Sequence, residues 1–246
     1  MKRLISIVVP ALNEDLVGTL RQLEATLAPL DDAFEVLFVD DSADEHRRQQ
    51  REALARAQGR VAARLIDGAR TGKGSAIRAG VRETRGALVF TMDADLPVPL
   101  RHIAEFVRHL DDGADMVMAE RPLDRRFETW QRFIVSRGLL AIQRALVFHS
   151  REFSDTQCGF KAFRGELARD IARGQIVDGG MYDLEYVFDA RRRGAKIVRV
   201  PIVPNPEIRE SRINVWRCFT RDWIDVLRIR TKVQPAYRVT TAPPQV

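Results

Sequence analysis

Short apolar runs alternate with amphipathic stretches through the first half of the chain. Leu4–Pro10 is continuous and rich in β-branched residues, whereas Asp15–Leu27 carries Leu16, Leu20, Leu23 and Leu27 at helical spacing. Phe34–Val39 predicts a second strand that ends at Asp40-Asp41. Asp44–Ala57 follows as a polar helix, and Val61–Ile66 as a weaker strand. A glycine-rich turn, Thr71–Ser75, opens a helix to about Arg85. Leu88–Met92 predicts the next strand, Pro99–Leu110 a helix and Asp115–Ala119 another strand. Strands alternating with helices imply an α/β fold, a twisted and mostly parallel sheet with helices on both faces. In such sheets ligands bind beyond the carboxyl ends of the strands. Asn13-Glu14, Asp40-Asp41 and Asp93-x-Asp95 all fall there.

The second half is less regular. Phe127–Phe148 predicts a long helix, and Asp155–Phe163 a loop with a short strand. Met181–Arg193 reads as a helix begun after Gly179-Gly180, and Ile197–Val203 as a strand. Asn214–Ile229 is a final amphipathic helix. On it Trp216, Phe219, Trp223, Val226 and Leu227 share one side, while Arg217, Arg221 and Arg228 stand mainly on others. That pattern suits a helix lying on a membrane surface, and equally one packed on its own domain. With no repeat and no low-complexity linker, residues 1–234 read as one domain. Its nucleotide-binding half would span about 1–120 and its acceptor-binding half about 121–234, with a flexible tail over 235–246.

Composition narrows the class. A chain of 246 residues with 45% apolar content folds as one large α/β domain or two small ones. Its net charge of +6 is carried almost wholly by arginine and is scattered, without the single stripe of a nucleic-acid binder. Cys158 and Cys218 are far apart, which gives no disulfide framework or zinc site and fits a reducing compartment. The first strand begins within three residues of Met1, so no secretory signal is expected. No apolar run approaches the ~20 residues needed to cross a bilayer. The expectation is a cytoplasmic protein, at most peripheral on the membrane face.

The most informative ten residues are Ala87–Leu96, A-L-V-F-T-M-D-A-D-L. An apolar strand that delivers Asp93 and Asp95 to its carboxyl end places two hard oxygen donors at the rim of a sheet. That suits a divalent cation, Mg²⁺ or Mn²⁺, bridging a diphosphate; an acidic turn that merely ends a strand would look the same in isolation. In Val8–Glu14, Pro10 stops strand pairing, Asn13 can cap the next helix and Glu14 sits at its positive end. The alternative reading is a nucleotide pocket. Asp40 can likewise accept from a base N–H, or the Asp40-Asp41 pair can cap a helix. Gly72-Lys73-Gly74 lacks P-loop spacing but forms an anion-friendly turn at a helix start.

Taken in order, V-V-P-A-L-N-E, V-D-D-S, G-K-G-S-A-I-R-A-G, D-A-D and Asp155–Lys161 (D-T-Q-C-G-F-K) resemble the family-2 glycosyltransferases of GT-A fold. The resemblance covers about Leu4–Lys232. It is closest to the dolichyl-phosphate and polyprenyl-phosphate hexosyltransferases, and Tyr182–Glu185 and Ser211-Arg212 are similar to the dolichyl-phosphate glucosyltransferase branch. The chain departs from the family in lacking a glycine after Asp40-Asp41 and in carrying Glu210 before Ser211.

The resemblance implies inverting transfer of a hexose from a nucleoside diphosphate sugar, UDP-glucose ahead of GDP-mannose, to a polyprenyl phosphate. Pro10, Ala11, Asn13, Glu14, Asp40 and Asp41 would border the nucleotide, and Lys73 the base or diphosphate. Asp93 and Asp95 would hold the metal, and Gln157, Lys161 and Arg212 would line the donor. Arg121, Arg132 and Ser136 would take the acceptor phosphate, with Arg132 and Ser136 one helical turn apart. A phosphate acceptor needs no strong base. A hydroxyl acceptor would, and Asp155, Asp183 and Glu185 are the candidates, although the latter two also suit the first turn of a helix. Two other readings use the same residues: a soluble phosphorylated or hydroxyl acceptor, and a nucleotide-sugar-binding module without turnover.

Overall fold

The computed structural model describes residues 2–57, 59–122, 137–150, 152–205 and 215–232, the side chains of 215–221 excepted. Seven strands form one sheet: β1 (Leu4–Ala11), β2 (Ala33–Asp40), β3 (Ala62–Asp67), β4 (Leu88–Thr91), β5 (Met116–Glu120), β6 (Lys161–Arg164) and β7 (Ile197–Pro201). Their order is β3-β2-β1-β4-β6-β5-β7. Every pairing is parallel except those of β6, which runs antiparallel to both β4 and β5. The helices are α1 (Leu16–Leu27), α2 (Asp44–Arg56), α3 (Lys73–Arg82), α4 (His102–Asp111), α5 (Gly165–Gly174), α6 (Tyr182–Arg192) and α7 (Val215–Thr231).

Both faces of the sheet are covered, which is why β1 and β2 read as nearly unbroken apolar runs. Ile5, Ile7, Val9, Phe38 and Phe90 point to one face, where α1 and α4 add Leu20 and Phe106. Val8, Val39 and Val89 point to the other, where α3, α5, α6 and α7 add Ile77, Ile171, Tyr186 and Val226. The sheet is the expected mostly parallel α/β architecture with helices on both faces.

Five details differ from the sequence reading. Pro10 does not stop strand pairing, since β1 runs on to Ala11, with Pro10 opposite Val39 and Ala11 opposite Asp40. The cap of α1 is Asp15, whose carboxylate accepts from Gly18 N at 3.0 Å. Asn13 is not the cap; it sits two residues earlier at φ 58°, left-handed backbone that asparagine tolerates. Helix α5 was not expected, because its short periodic run is bracketed by Gly165 and Gly174. The end of the long predicted helix, Gln143–Phe148, is π-helical, while Phe127–Ser136 lie outside the described residues. In α7 the proposed stripe divides. Val226 is buried against the domain, whereas Ile224 and Leu227 are 55% and 49% exposed. Among the described residues no helix is long and apolar enough to cross a membrane.

Helix α3 approaches the sheet closely at Gly80, where an added Cβ would lie 2.4 Å from Val8 Cγ1 and 2.9 Å from Val39 Cγ2. Gly80→Ala would gain about 1 kcal/mol of helix propensity but overpack a stiff, β-branched neighbour pair at a cost of about 1–3 kcal/mol. The expected net result is a lower urea midpoint.

Candidate active site

The reversal of β6 concentrates chemistry at one rim. Parallel β1, β2 and β4 bring their carboxyl ends there, with Ala11 opposite Asp40 and Val8 opposite Thr91. Antiparallel β6 instead begins there, with Lys161 opposite both Thr91 and Met118. Asp93, Arg121 and Lys161 therefore leave or enter the sheet on the same side. The N-termini of α3 and α6 add Lys73 and Asp183.

Three ion pairs result, each joining different elements. Lys73 pairs with Asp93, and Lys161 with Asp183. Arg121 grips Asp155 in a fork, Nε to Oδ2 at 2.6 Å and Nη2 to Oδ1 at 3.1 Å. The Asp155 carboxylate also accepts from the Arg121 and Gln157 amides at 3.2 and 2.9 Å. Lys161 and Asp183 are nearly sealed from solvent, while Lys73 and Asp93 retain 37% and 25% side-chain exposure.

The charges tune one another. Burial pushes the Asp93 carboxyl up, but Lys73, with Lys161 and Arg121 behind it, outweighs burial and holds it below the ordinary range. Burial likewise lowers Lys73, yet Asp93 and Asp183 together keep its ammonium above its usual value. For Asp183 burial wins over Lys161 and Lys73, and the carboxyl stays raised. Burial lifts the Cys158 thiol to about 11, so it is no thiolate at neutral pH.

The Asp-x-Asp turn is pinned from outside. Thr19 Oγ1 donates to the Ala94 carbonyl at 3.0 Å, and Asn205 Nδ2 to the Leu96 carbonyl at 2.9 Å. Leu96 itself has φ 47°. Gly159 faces Asp93 so closely that a Cβ would lie 2.9 Å from Oδ2. Asp93 is half-buried and Asp95 exposed. No group of three metal-ligating side chains occurs among the described residues. Two carboxylates beside a backbone cradle still fit Mg²⁺ or Mn²⁺, which commonly take one or two carboxylates and complete their shell with phosphate oxygens and water.

Asp40 lies beside this group on β2. Its Oδ1 accepts from the Ser42 amide at 2.9 Å and from the Ser42 hydroxyl, whereas Oδ2 is buried without a partner. Asn13 N donates to the same Ser42 hydroxyl at 2.6 Å, which ties the turns after β1 and β2 together. Asp41 Oδ1 instead accepts from Arg70 N at 2.8 Å. Pro10, Ala11 and Glu14 border this end of β1.

Glu185 is the candidate the fold keeps apart. Its two oxygens accept from Ile176 N and Val177 N at 2.8 and 2.9 Å, and Lys232 closes on it from α7. Arg132, Ser136 and Arg212 lie outside the described residues. Sequence reasoning passed over Thr19, Asn205 and Gly159. Only Gly159 stood within a quoted motif, and nothing local marks the other two.

Paired charges gathered at the carboxyl rim of a mixed α/β sheet stand where open α/β sheets bind their ligands. The chain belongs to glycosyl transferase family 2, whose family model matches residues 6–171. An undecaprenyl-phosphate 4-deoxy-4-formamido-L-arabinose transferase of Pseudomonas paraeruginosa is 33% identical over 166 residues, 67% of this chain and 48% of the relative. Glycosyltransferase AglD of Haloferax volcanii is 29% identical over 214 residues, 82% of this chain and 33% of the relative. The chain thus spans about half or less of these relatives. Glucosyl-3-phosphoglycerate synthase from Mycobacterium tuberculosis, solved with Mn²⁺, UDP-glucose and glycerol 3-phosphate, shares the fold. Its TM-score is 0.67 at 19% identity, covering 93% of this chain and 80% of that one.

The depressed Asp155 carboxyl gives this site an acid signature. Burial raises it, but the Arg121 fork outweighs burial and holds it below its ordinary 3.8. A carboxyl lowered by folding stabilises the protein above its unfolded value, and that contribution disappears as pH falls through the folded one. Arg121→Met should therefore lower the urea midpoint by its full amount at about pH 7, with the gap to wild type narrowing as pH falls below about 4.

Proposed function

We propose that the chain is a metal-dependent, inverting glycosyltransferase that moves a hexose from a nucleoside diphosphate sugar to a polyprenyl phosphate. The observation that carries this is the pair Asp93 and Asp95 at the rim, flanked by Lys73 and cradled by Gly159. The three ion pairs already balance one another, so a diphosphate would arrive as uncompensated charge. A cation held between the two carboxylates and the diphosphate would supply that compensation and neutralise charge on the leaving group.

The chain's own residues do the rest. Lys73, the more exposed of the two site lysines, would follow the diphosphate. The unpartnered Asp40 Oδ2 can accept an N–H from a uracil or guanine edge. We favour UDP-glucose because Asp155–Lys161 matches the glucosyl branch. A phosphate acceptor is already ionised, so Asp183 need not act as a base, and its pairing with Lys161 is consistent with that. Arg121 would contact the acceptor phosphate together with Arg132 and Ser136, while Gln157 and Arg212 would close on the donor. The names of the curated relatives, undecaprenyl-phosphate transferases among them, support a lipid phosphate. The phosphorylated ligand named with the structural neighbour supports a second reading, a soluble phosphorylated acceptor.

Calorimetry with Mn²⁺ and either UDP or GDP tests the donor, and tight GDP binding without UDP binding would replace the glucosyl reading. Release of nucleoside diphosphate, with and without polyprenyl phosphate or 3-phosphoglycerate, tests the acceptor. Asp95→Ala should lower turnover more than about a hundredfold with the circular dichroism spectrum unchanged. Turnover that persists in EDTA would remove the metal from the mechanism.

A lipid acceptor must be reached at a surface. The outward Ile224 and Leu227 of α7, with Arg228 and Arg230 exposed beside them, form the face we assign to anionic lipid. Liposomes containing anionic lipid should sediment the wild-type chain at low salt, and Ile224→Asp/Leu227→Asp should return it to the supernatant.

A further inference from the structure

The reaction proposed above makes no use of a second set of buried charges, behind the site. Lys232, at the end of α7, places its ammonium between Glu185 and Asp189 of α6, bonding the first and lying 2.6 Å from Asp189 Oδ2. The Lys232 side chain is 5% exposed and the two carboxylates are fully enclosed. Burial raises both carboxyls, and Lys232 opposes that rise in each. An arrangement this costly contributes little net stability, so a role in fixing geometry is the better account of it.

What it fixes can be followed bond by bond. Glu185 holds the amides of Ile176 and Val177. Gln175, bonded through Oε1 by Tyr186 at 3.1 Å, donates Nε2 to the carbonyls of both Val177 and Gly74 at 2.7 Å. Ser75 N donates to the Asp178 carbonyl at 3.2 Å. The turn is pressed against α3 so tightly that a Cβ at Gly74 would lie 2.6 Å from the Val177 carbonyl, and one at Gly72 2.5 Å from that of Asp178. Between those two glycines stands Lys73, with its ammonium on Asp93 and 5.7 Å from the centre of the Tyr182 ring.

We propose that Lys232 is a positioning residue of the nucleotide site: by fixing Glu185 it sets the 175–179 turn, which seats the first turn of α3 and aims Lys73 at Asp93. Docking of the C-terminal helix and the cation of the donor site are thereby coupled. The consequence for nucleotide binding rests on the function proposed above; the coupling itself does not.

The test uses the full chain with Lys232→Met, and Ile229→Ala as a control that loosens α7 through its apolar face alone. The first readout needs no ligand: the rate at which acetic anhydride labels Lys73, measured by mass spectrometry against exposed Lys2. The second is calorimetric affinity for UDP with Mn²⁺. Lys232→Met should label Lys73 severalfold faster and bind UDP roughly tenfold more weakly, a loss typical of residues that couple through a packed network. Ile229→Ala, which loosens the docking of α7 but leaves the Lys232 ammonium on Glu185, should shift both readouts in the same direction by clearly less than Lys232→Met. Wild-type labelling in Lys232→Met overturns the proposal whatever the affinity. A wild-type chain that binds no nucleotide fails the function and leaves the labelling result to decide the coupling. If Lys232→Met does not fold, native-state hydrogen exchange of the wild type decides. The amides of Ile176, Val177 and Ser75 should open together with that of Ile229, and Ser75 remaining protected after α7 has opened overturns the coupling.

Discussion

Charge balance at a partly enclosed rim is the constraint around which this molecule is arranged. Lys73–Asp93, Lys161–Asp183 and Arg121–Asp155 each join two elements that are distant in sequence. For the enclosed pair Lys161–Asp183, removing either member strands its partner in a poor solvent for ions. The apolar layers on either face of the sheet supply the stability that permits this. They also hold the strand ends rigidly enough for the pairs to form without large rearrangement. Backbone carries part of the load, since the amides of Arg121 and Gln157 serve Asp155 and those of Ile176 and Val177 serve Glu185.

Much of this was legible in the sequence, and unevenly so. The βα alternation of the first half reports itself, because strands buried on both faces read as apolar runs and amphipathic helices carry a 3.6-residue period. Asp93 and Asp40 were singled out because a strand's end marks the rim, and Lys73 because a glycine-rich turn opens a helix there. Asn13 was misread as a cap because Asn and Asp are both good caps, and the choice between Asn13 and Asp15 depends on the Ser42 hydroxyl from another turn. Helix α5 was hidden by its bracketing glycines. The division of the α7 stripe was beyond periodicity, which groups residues by angle and cannot say which neighbour covers them.

Glu185 illustrates the same limit in chemistry. Its neighbour Asp183, two positions earlier, sits within the charged rim, whereas Glu185 serves backbone amides on the other side of the helix start. Sequence proximity offered both as bases; a helix turns successive residues by about 100°, which sends them to different surroundings. Thr19 and Asn205 are the converse case. Unremarkable in sequence, they hold the Ala94 and Leu96 carbonyls and so decide where two carboxylates stand.

The placement of β6 has a consequence for how the chain acquires its structure. In the sheet it lies between β4 and β5, yet in sequence it follows both. Until Lys161–Arg164 has been synthesised, β4 has an open edge, and β5 cannot join the strands that precede it. Contacts between β4 and β6 span some seventy residues, a separation that slows folding because the loop must close before any bond rewards it. A nascent chain therefore presents an exposed apolar edge at Leu88–Thr91, the kind of surface chaperones recognise. The last central strand to arrive is also the one that carries Lys161, so the rim gains its charge balance only when the sheet closes.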